Sequence, residues 1–327
     1  MTDRMKMIDA KDLTKNYKSR RGDRIAVNGI SFSVGEGEFF SFLGPNGAGK
    51  TTTIQMMVAL LSPTRGTITI DGLDVVSYPH QVRQKIGIIF QDPSLDDRLT
   101  AWENLEFHGR LYGIDSKTRE RRGDFLLGVM GLGERRHDLV RTYSGGMKRR
   151  LEIARGLLHS PRLLILDEPT LGLDPHSRRS VWEYIHRVRK EVGMTVFLTT
   201  HYLEEADTSD RVAIMSEGKI VAMGTPDRLK KDLSSEMLSV ETENPEALIS
   251  YLLKTYPAIG SQIRREGENL LCFPLPPGGD LSPWDLLRTL PVPIREASVR
   301  RPNLDDVFIH HTGSALKGGE PEGEKRK

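Results

Sequence analysis

Residues Gly44–Thr51 have the sequence GPNGAGKT and lie between an apolar stretch, Glu38–Leu43, and a stretch with the composition of a helix, Thr52–Leu61. A strand, a glycine-rich loop, Lys-Thr and a helix in this order predict a phosphate-binding loop (P-loop). Glycines allow backbone N–H groups to turn inward around an anion, and the N-terminus of the helix adds its positive end. We therefore expect Lys50 to reach the β- and γ-phosphates of a nucleotide and the Thr51 hydroxyl to bind Mg²⁺.

The composition is that of an ordinary globular protein. At 327 residues the chain has room for about two domains, and 28% of its residues are charged. The net charge of +2 provides no overall field that would favour nucleic acid. Cys272 is the single cysteine, so no internal disulfide can form, which suits a reducing compartment. No apolar run follows Met1–Lys6, so we expect no signal peptide. No apolar run approaches the ~20 residues that a membrane span needs, so if the protein works at a membrane, we expect another chain to span the bilayer.

Alternating strands and helices predict the fold of the first two thirds of the chain. The unbroken apolar run Leu163–Leu166 predicts a buried parallel strand, Val181–Val192 a helix and Thr195–Thr200 the next strand. This alternation is typical of an α/β domain with a largely parallel core sheet. Short strands within residues 5–34 predict a small antiparallel β subdomain, and apolar residues at helical spacing in 99–136 predict a helical insertion.

The last third of the chain has a different pattern. Residues 236–300 are expected to form strand, helix, strand, strand, helix and strand, an order that fits a small ferredoxin-like α+β module. We expect a cassette over 1–232, with its helical insertion at about 92–160, an accessory domain over 233–313 and a disordered tail over 314–327.

Two carboxylates follow the apolar strand Leu163–Leu166 directly. Ligands of open α/β sheets bind at the C-terminal edge of the strands, where Asp167 and Glu168 are expected to lie. Asp167 can hold Mg²⁺, directly or through water, and Glu168 can orient the attacking water as a general base.

A further pattern, Tyr143–Leu151 with the sequence YSGGMKRRL, opens a predicted helix that runs to Leu158. Ser144 is the expected N-cap, and Ser-Gly-Gly at a helix N-terminus is suited to bind an anion. The basic run Lys148–Arg150 is expected to be a solvated helix face or helix-end charge rather than a nucleic-acid patch.

The order of three motifs resembles that in the ATP-binding subunit of an ABC transporter. These motifs are the P-loop, Ser144–Gly146 at the start of a helix, and Asp167-Glu168. The resemblance covers roughly residues 6–230. It implies that two copies of the chain face each other, so that each ATP lies between the P-loop of one copy and the Ser-Gly-Gly turn of the other. The turn departs from the common Leu-Ser-Gly-Gly-Gln form, because Tyr143 and Met147 stand at its outer positions, and Met147 cannot donate the hydrogen bond of a glutamine.

The resemblance also assigns roles to single residues. Gln91 is similar to the glutamine that senses Mg²⁺ or the water, and His201 to the histidine that contacts the γ-phosphate. Asp174 resembles the residue that communicates across the dimer, and Tyr17 the aromatic ring that stacks on adenine.

Three overlapping sets of site residues follow. The expected catalytic residues are Glu168, His201, Lys50 and Gln91. The expected metal-binding residues are Thr51, Gln91 and Asp167. The expected ATP-binding residues are Tyr17, Gly44, Pro45, Asn46, Gly47, Ala48, Gly49, Lys50, Thr51, Thr52, Ser144, Gly145, Gly146 and Asp174.

Two further stretches refine the resemblance. Asp92–Thr100 is similar to export-type systems, and Arg301–Gly313 looks like the closing helix of the daunorubicin-resistance type, which pairs with separate ABC-2 permease subunits. The resemblance implies an ATPase with ATP and Mg²⁺ as cofactors that lies peripherally on the cytoplasmic face of the cell membrane, binds no nucleic acid and drives export of a lipid, drug or polysaccharide.

Two alternatives remain. One is a soluble ABC ATPase that acts on ribosomes or DNA; such chains usually carry two cassettes, long coiled coils or zinc motifs, and this sequence has a single cassette. The other is a regulatory module that does not hydrolyse ATP, against which Lys50, Asp167, Glu168 and His201 all argue.

Overall fold

The structure, a computed structural model, describes residues 5–18, 22–92, 94–233, 236–260, 262–275 and 282–313. The chain divides into two compact units, Met1–Ile220 and Val221–Lys327. The tail predicted over 314–327 lies outside the described residues. Among the described residues, no helix combines the length and the apolar character that a membrane span requires.

The strands of the first unit form two sheets. They are β1 (Lys6–Tyr17), β2 (Arg24–Gly35), β3 (Phe39–Leu43), β4 (Arg65–Ile70), β5 (Leu73–Asp74), β6 (Ile86–Ile89), β7 (Leu163–Asp167), β8 (Thr195–Thr200), β9 (Arg211–Ser216) and β10 (Lys219–Gly224), the last of which contains the division between the units. The central sheet has the order β10-β9-β3-β8-β7-β6, and the pairs from β9 to β6 are parallel. The smaller sheet, β2-β1-β4-β5, is antiparallel. The parallel order brings the C-terminal ends of β3, β8 and β7 to one edge.

Helices of the first unit connect these strands and form the insertion. They are α1 (Lys50–Met57), α2 (Pro79–Lys85), α3 (Ala101–Leu111), α4 (Ser116–Val129), α5 (Gly145–Leu157), α6 (Pro175–Val192) and α7 (Leu203–Ala206), with short 3₁₀ turns at Gly133–Arg135 and Val140–Thr142. Helix α3 begins with a capping box between Thr100 and Glu103, and α4 begins at the N-cap Asp115. Helices α3, α4 and α5 share apolar contacts in one core cluster.

Two helix boundaries differ from the sequence-based expectation. Helix α1 ends at Met57 rather than near residue 61, because Ala59 has a φ of +56°, which is outside the helical region. Helix α6 begins at Pro175 rather than Val181, because the Asp174 side chain accepts a hydrogen bond from the Ser177 N–H (2.9 Å) and proline suits the first helical position.

The second unit has its own sheet and core. After α8 (Pro226–Leu233) come β11 (Met237–Thr242), α9 (Pro245–Thr255), α10 (Pro257–Gly260), β12 (Arg264–Glu266), β13 (Leu270–Pro274), α11 (Pro283–Thr289), β14 (Ile294–Arg300) and α12 (Leu304–Thr312). The sheet has the order β12-β13-β11-β14, and all of its pairs are antiparallel. Its apolar face packs on α9 and α11 through residues such as Leu238, Leu252, Phe273 and Leu286.

An aromatic cluster joins the two sheets of the first unit. Phe32 of β2 lies 4.9 Å from Phe42 of β3 between ring centroids, and Phe42 lies 4.9 Å from Phe197 of β8. Phe40 completes the cluster, and the side chains of Phe40, Phe42 and Phe197 are fully buried. This packing fixes β3 and β8, the strands that carry the P-loop and His201, beside one another.

We predict that Phe197→Ala lowers the free energy of unfolding of the first unit by about 3–5 kcal/mol, because it removes a ring from a closely packed core. The same substitution at Phe107, whose side chain is 61% exposed, is the control and is expected to change stability by about 0.5 kcal/mol or less. Urea titrations followed by tryptophan fluorescence measure both values. Equal losses for the two variants would contradict the assignment of the cluster as core.

Candidate active site

The P-loop connects β3 to α1 with a backbone that requires glycine. Gly47 and Gly49 have φ values of +83° and +105°, and a Cβ at Gly49 would lie 2.5 Å from the carbonyl oxygen of Ala26. Helix α1 begins at Lys50 with Gly49 as its N-cap, so its N-terminus opens into the loop. The loop residues therefore have the conformation and helix dipole that an anion site needs.

Lys50 is the cationic group of the site. Its side chain is 4% exposed, and Nζ donates hydrogen bonds to the carbonyl oxygens of Gly44 (2.6 Å) and Pro45 (3.1 Å). Nζ also lies 3.2 Å from Oε1 of Glu168. Burial lowers the pKa of the ammonium group, and the Glu168 carboxylate opposes that effect.

Glu168 lies between Lys50 and His201. It follows β7 with a φ of +46°, so its side chain leaves the line of the strand. Its Oε2 lies 3.2 Å from Nδ1 of His201, an ion-pair distance at which the angles do not make a hydrogen bond. Burial raises the pKa of the Glu168 carboxyl, but contacts with His201 and Lys50 outweigh it and leave that pKa below its usual range.

Asp167 ends β7 and faces Thr51. Its Oδ1 accepts hydrogen bonds from the hydroxyls of Thr199 (2.5 Å) and Thr51 (3.5 Å). Burial raises the pKa of the Asp167 carboxyl, and the negative charge of the neighbouring Glu168 raises it further. The hydrogen bond from Thr199 lowers the same pKa but does not cancel the increase. A carboxylate and a hydroxyl at this spacing are hard oxygen donors of the kind that Mg²⁺ prefers.

Part of this site lines a cavity of about 190 Å³, whereas Gly44, Ala48, Asp167 and His201 are not among the lining residues. The residues around it are Tyr17, Arg24, Ala26, Pro45, Asn46, Gly47, Gly49, Lys50, Thr51, Thr52, Gln91 and Glu168. The structure thus brings Tyr17 and Gln91 to the P-loop, as the resemblance implied. Sequence analysis missed Arg24, which is the cross-strand partner of Tyr17, because only the register of β1 on β2 brings it to the cavity.

Ser144–Gly146 and Asp174 lie elsewhere in the chain. Ser144 is the N-cap of α5, where its hydroxyl accepts a hydrogen bond from the Met147 N–H (3.3 Å), and Ser144 and Gly145 are exposed. A Cβ at Gly146 would lie 2.9 Å from Ser177, so this turn adjoins the start of α6 at Asp174. None of these four predicted site residues lines the cavity around the P-loop.

The prediction of a solvated basic face at Lys148–Arg150 is wrong for Arg149. Its guanidinium is buried, pairs with Glu152 (2.9 Å) and donates hydrogen bonds to the carbonyl oxygens of Phe90 (2.7 Å), Glu168 (3.3 Å) and Pro169. Lys148 instead pairs with Asp97 at 2.8 Å.

Glu152 extends this contact to the segment after Gln91. Its Oε1 accepts a hydrogen bond from the Ser94 N–H (2.7 Å). Arg149 and Glu152 therefore tie the helix that begins at Ser144 to the backbone beside Gln91 and Glu168. Helical spacing alone does not distinguish such a buried pair from surface charges, so the sequence contains no clear signal for it.

Comparison with known proteins shows the family to which the chain belongs. The ABC transporter family matches residues 27–171. The daunorubicin/doxorubicin resistance ATP-binding protein DrrA of Streptomyces peucetius is 40% identical over 311 residues, which cover 94% of this chain and 92% of that protein. The Nod factor export ATP-binding protein I of Ralstonia nicotianae (strain ATCC BAA-1114 / GMI1000) is 34% identical over 312 residues, which cover 93% and 94%.

A solved structure is also similar. The dimeric structure of a post-hydrolysis state of the ATP-binding cassette MJ0796 bound to ADP and Pi matches with a TM-score of 0.61 and 28% identity, over 67% of this chain and 98% of that one.

The chain belongs to the ATP-binding proteins of the ABC transporter family. The resemblance to the daunorubicin-resistance type is confirmed, and so are the P-loop cassette fold, the binding of ATP and the ATPase class. The general function, an ATP-hydrolysing subunit of an ABC transporter, is confirmed as well, and the alternative on ribosomes or DNA is not favoured.

We predict that Lys50→Ala weakens ATP binding roughly 10- to 100-fold, because one charge-assisted contact to the phosphates contributes about 1.5–3 kcal/mol. Lys219→Ala, at an exposed lysine of the same unit, is the matched control and is expected to bind ATP normally. Isothermal titration with ATP measures both dissociation constants. Equal affinity of the Lys50 variant and the wild type would contradict the phosphate role of Lys50.

Proposed function

We propose that two copies of this chain close around two ATP molecules and drive export through a separate membrane permease. One observation carries the proposal: Ser144 and Gly145 are exposed at the N-terminus of α5, and the Ser144–Gly146 turn does not line the cavity of its own P-loop. A second copy would bring its turn to that cavity. ATP then favours the closed dimer, because the complete site exists only there, and hydrolysis removes the preference.

Each side chain at the cavity has a proposed role. Lys50 binds the β- and γ-phosphates, and Glu168 orients the attacking water and accepts its proton. His201 contacts the γ-phosphate and holds Glu168 in place. The ring of Tyr17 stacks on adenine, and Arg24 beside it contacts a phosphate.

The oxygen donors at the end of β7 fit a magnesium ion. Thr51 and Asp167 would hold it, with the side-chain oxygen of Gln91 as a third candidate. When bound, Mg²⁺ neutralises charge on the β- and γ-phosphates.

An exposed apolar surface supports a contact with the permease. We define the docking face as Leu60, Val76, Tyr78, Phe107, Leu111 and Tyr112, all of which are exposed in the structure. Arg83 adjoins this face, because its Nη1 donates a hydrogen bond to the carbonyl oxygen of Ala59 (3.4 Å), the residue before Leu60. Closure of the dimer would reach this face through Gln91 and the Ser94–Glu152 contact.

The permease is proposed to be of the ABC-2 type, with the chain lying peripherally on the cytoplasmic face of the membrane. The proposed cargo is a lipid, drug or polysaccharide; the names of the relatives support export, since they are a daunorubicin/doxorubicin resistance ATP-binding protein and a Nod factor export ATP-binding protein. The cargo would be selected by the permease rather than by this chain.

The second unit is proposed to be a ferredoxin-like accessory module. Its order of strands and helices and its antiparallel sheet, β12-β13-β11-β14, support this assignment. We propose that the cassette spans 1–232 and the module 233–313.

We predict that Glu168→Gln retains ATP binding, lowers turnover roughly 10²- to 10⁴-fold and accumulates an ATP-bound dimer, because the amide cannot accept the proton of the water. Light scattering during size exclusion with ATP and Mg²⁺ measures the dimer, and phosphate release measures turnover. Glu191→Gln, at an exposed glutamate, is the control and keeps wild-type turnover. Unchanged turnover of the Glu168 variant would remove this residue from the mechanism.

We predict that Leu111→Glu reduces recovery of the chain with membranes while its basal ATPase rate stays within about twofold of wild type, because the side chain is 69% exposed and makes the docking face charged. The assay co-expresses the chain with a candidate ABC-2 permease and quantifies the membrane-bound fraction. Leu253→Glu, at a half-exposed leucine of the second unit, is the control. Full membrane recovery of the Leu111 variant would contradict the docking face.

A further inference from the structure

Glu205 is a buried carboxylate with no role in the mechanism described so far. It lies in the short helix α7, and 4% of the residue is exposed. Its Oε1 accepts hydrogen bonds from the Thr170 hydroxyl and from the indole N–H of Trp182 (3.0 Å), and its Oε2 accepts one from the Thr200 hydroxyl (2.7 Å). The three donors come from three different elements: the segment after β7, helix α6 and the end of β8.

The Thr200 contact leads directly to His201. Thr200 is the last residue of β8, and its hydroxyl also accepts a hydrogen bond from the Tyr202 N–H (2.9 Å). The ring of Tyr202 lies 4.1 Å from the His201 ring between centroids, and its other contact is the Arg178 guanidinium at 3.8 Å. The backbone on both sides of His201 is therefore held through the Thr200 hydroxyl that Glu205 orients.

The Thr170 contact leads to the segment that ends at Asp174. Thr170 is fully buried, and its carbonyl oxygen accepts a hydrogen bond from the Leu173 N–H (3.1 Å). The Leu171 N–H donates to the carbonyl oxygen of Glu168 (3.2 Å), so this segment starts at the catalytic carboxylate. Glu205 thus joins the two segments that leave β7 and β8.

We propose that Glu205 is a positioning residue for ATP hydrolysis, which sets His201 and the Thr170–Asp174 segment relative to each other. The proposal rests on the roles given above to His201 and Asp174. A carboxylate can accept hydrogen bonds at both of its oxygens, and the indole N–H of Trp182 can only donate, so the three donors match this group. Charge-assisted hydrogen bonds of this kind are stronger and more directional than neutral ones.

The atoms of a glutamine at this position allow a selective test. In Glu205→Gln the amide oxygen must face Trp182, because the indole N–H needs an acceptor. The amide NH₂ group then faces the Thr200 hydroxyl, which loses its hydrogen bond to a carboxylate and can only accept a neutral one from the amide, as it already does from the Tyr202 N–H. The substitution therefore keeps size and shape and disturbs the link to His201.

Steady-state ATP hydrolysis with purified full-length chain tests the proposal. We expect Glu205→Gln to lower kcat roughly tenfold, the effect of one lost hydrogen bond to a charged group, with KM for ATP within about twofold of wild type because the P-loop contacts remain. Trp182→Phe is the matched control: it removes one donor from the same carboxylate on the α6 side. It is expected to lower Tm by as much as Glu205→Gln and to keep kcat within about twofold.

A second pair of variants approaches the same link from the other partner. Thr200→Val removes the hydroxyl at nearly constant volume and is expected to reproduce the fall in kcat. Thr200→Ser keeps the hydroxyl and is expected to have the kcat of the wild type. Glu205→Gln combined with Thr200→Val is expected to lower kcat no further than either change alone. This pair also serves if Glu205→Gln does not fold.

Two outcomes overturn the proposal. The first is a wild-type kcat in both Glu205→Gln and Thr200→Val. The second is an equal loss of kcat in Glu205→Gln and Trp182→Phe at equal Tm, which would show that Glu205 has a purely structural role. Glu168→Gln separates this failure from failure of the proposed mechanism: if that variant keeps full turnover, the proposed catalytic role of Glu168 fails as well, and if it does not, the positioning role alone fails.

Discussion

The close approach of three buried titratable side chains, Lys50, Glu168 and His201, is the constraint on which the rest of the structure depends. Each is less than a tenth exposed, and the charges of Lys50 and Glu168, buried to this degree, are tolerated because they are paired with one another. The strand order β3-β8-β7 meets the requirement, since it brings the ends of the three strands that precede these residues to one sheet edge. The aromatic cluster under that edge keeps β3 and β8 in register.

Much of this could be predicted from local sequence, and the rest depends on tertiary contacts. The P-loop, β7, β8 and the N-cap at Ser144 rest on short-range chemistry, namely glycine conformation, unbroken apolar runs and helix capping, and the structure agrees with each. Arg24 could not be predicted, because its place at the cavity follows from a cross-strand register. Arg149 could not either, because a guanidinium on a helix is buried only when strand-end carbonyls lie opposite it. The start of α6 at Pro175 could have been predicted from the sequence, because Asp174-Pro175 is a typical pair for an N-cap and the first helical position.

The buried pair Arg149–Glu152 and the buried carboxylate of Glu205 lie behind the site and connect it to the surfaces on which partners are proposed to act. Arg149 and Glu152 join the backbone at Phe90 and Glu168 to the helix that starts at Ser144. Glu205 joins the segment before His201 to the one that ends at Asp174. Both use charge-assisted hydrogen bonds to several elements at once, which makes the contacts sensitive to small shifts of the backbone. Nucleotide at the P-loop would thereby influence the exposed turn that a second copy is proposed to contact.

Mixing two inactive variants tests the shared site most directly. Lys50→Ala disables the P-loop and keeps the Ser144 turn, whereas Ser144→Arg blocks the turn and keeps the P-loop. If each ATP lies between two copies, a mixed dimer has one complete site, so the mixture should hydrolyse ATP faster than the sum of the two variants measured alone. Energy transfer between dye-labelled chains verifies that mixed dimers form. Mixed dimers whose ATPase rate does not exceed that sum would contradict a site that is shared between two copies.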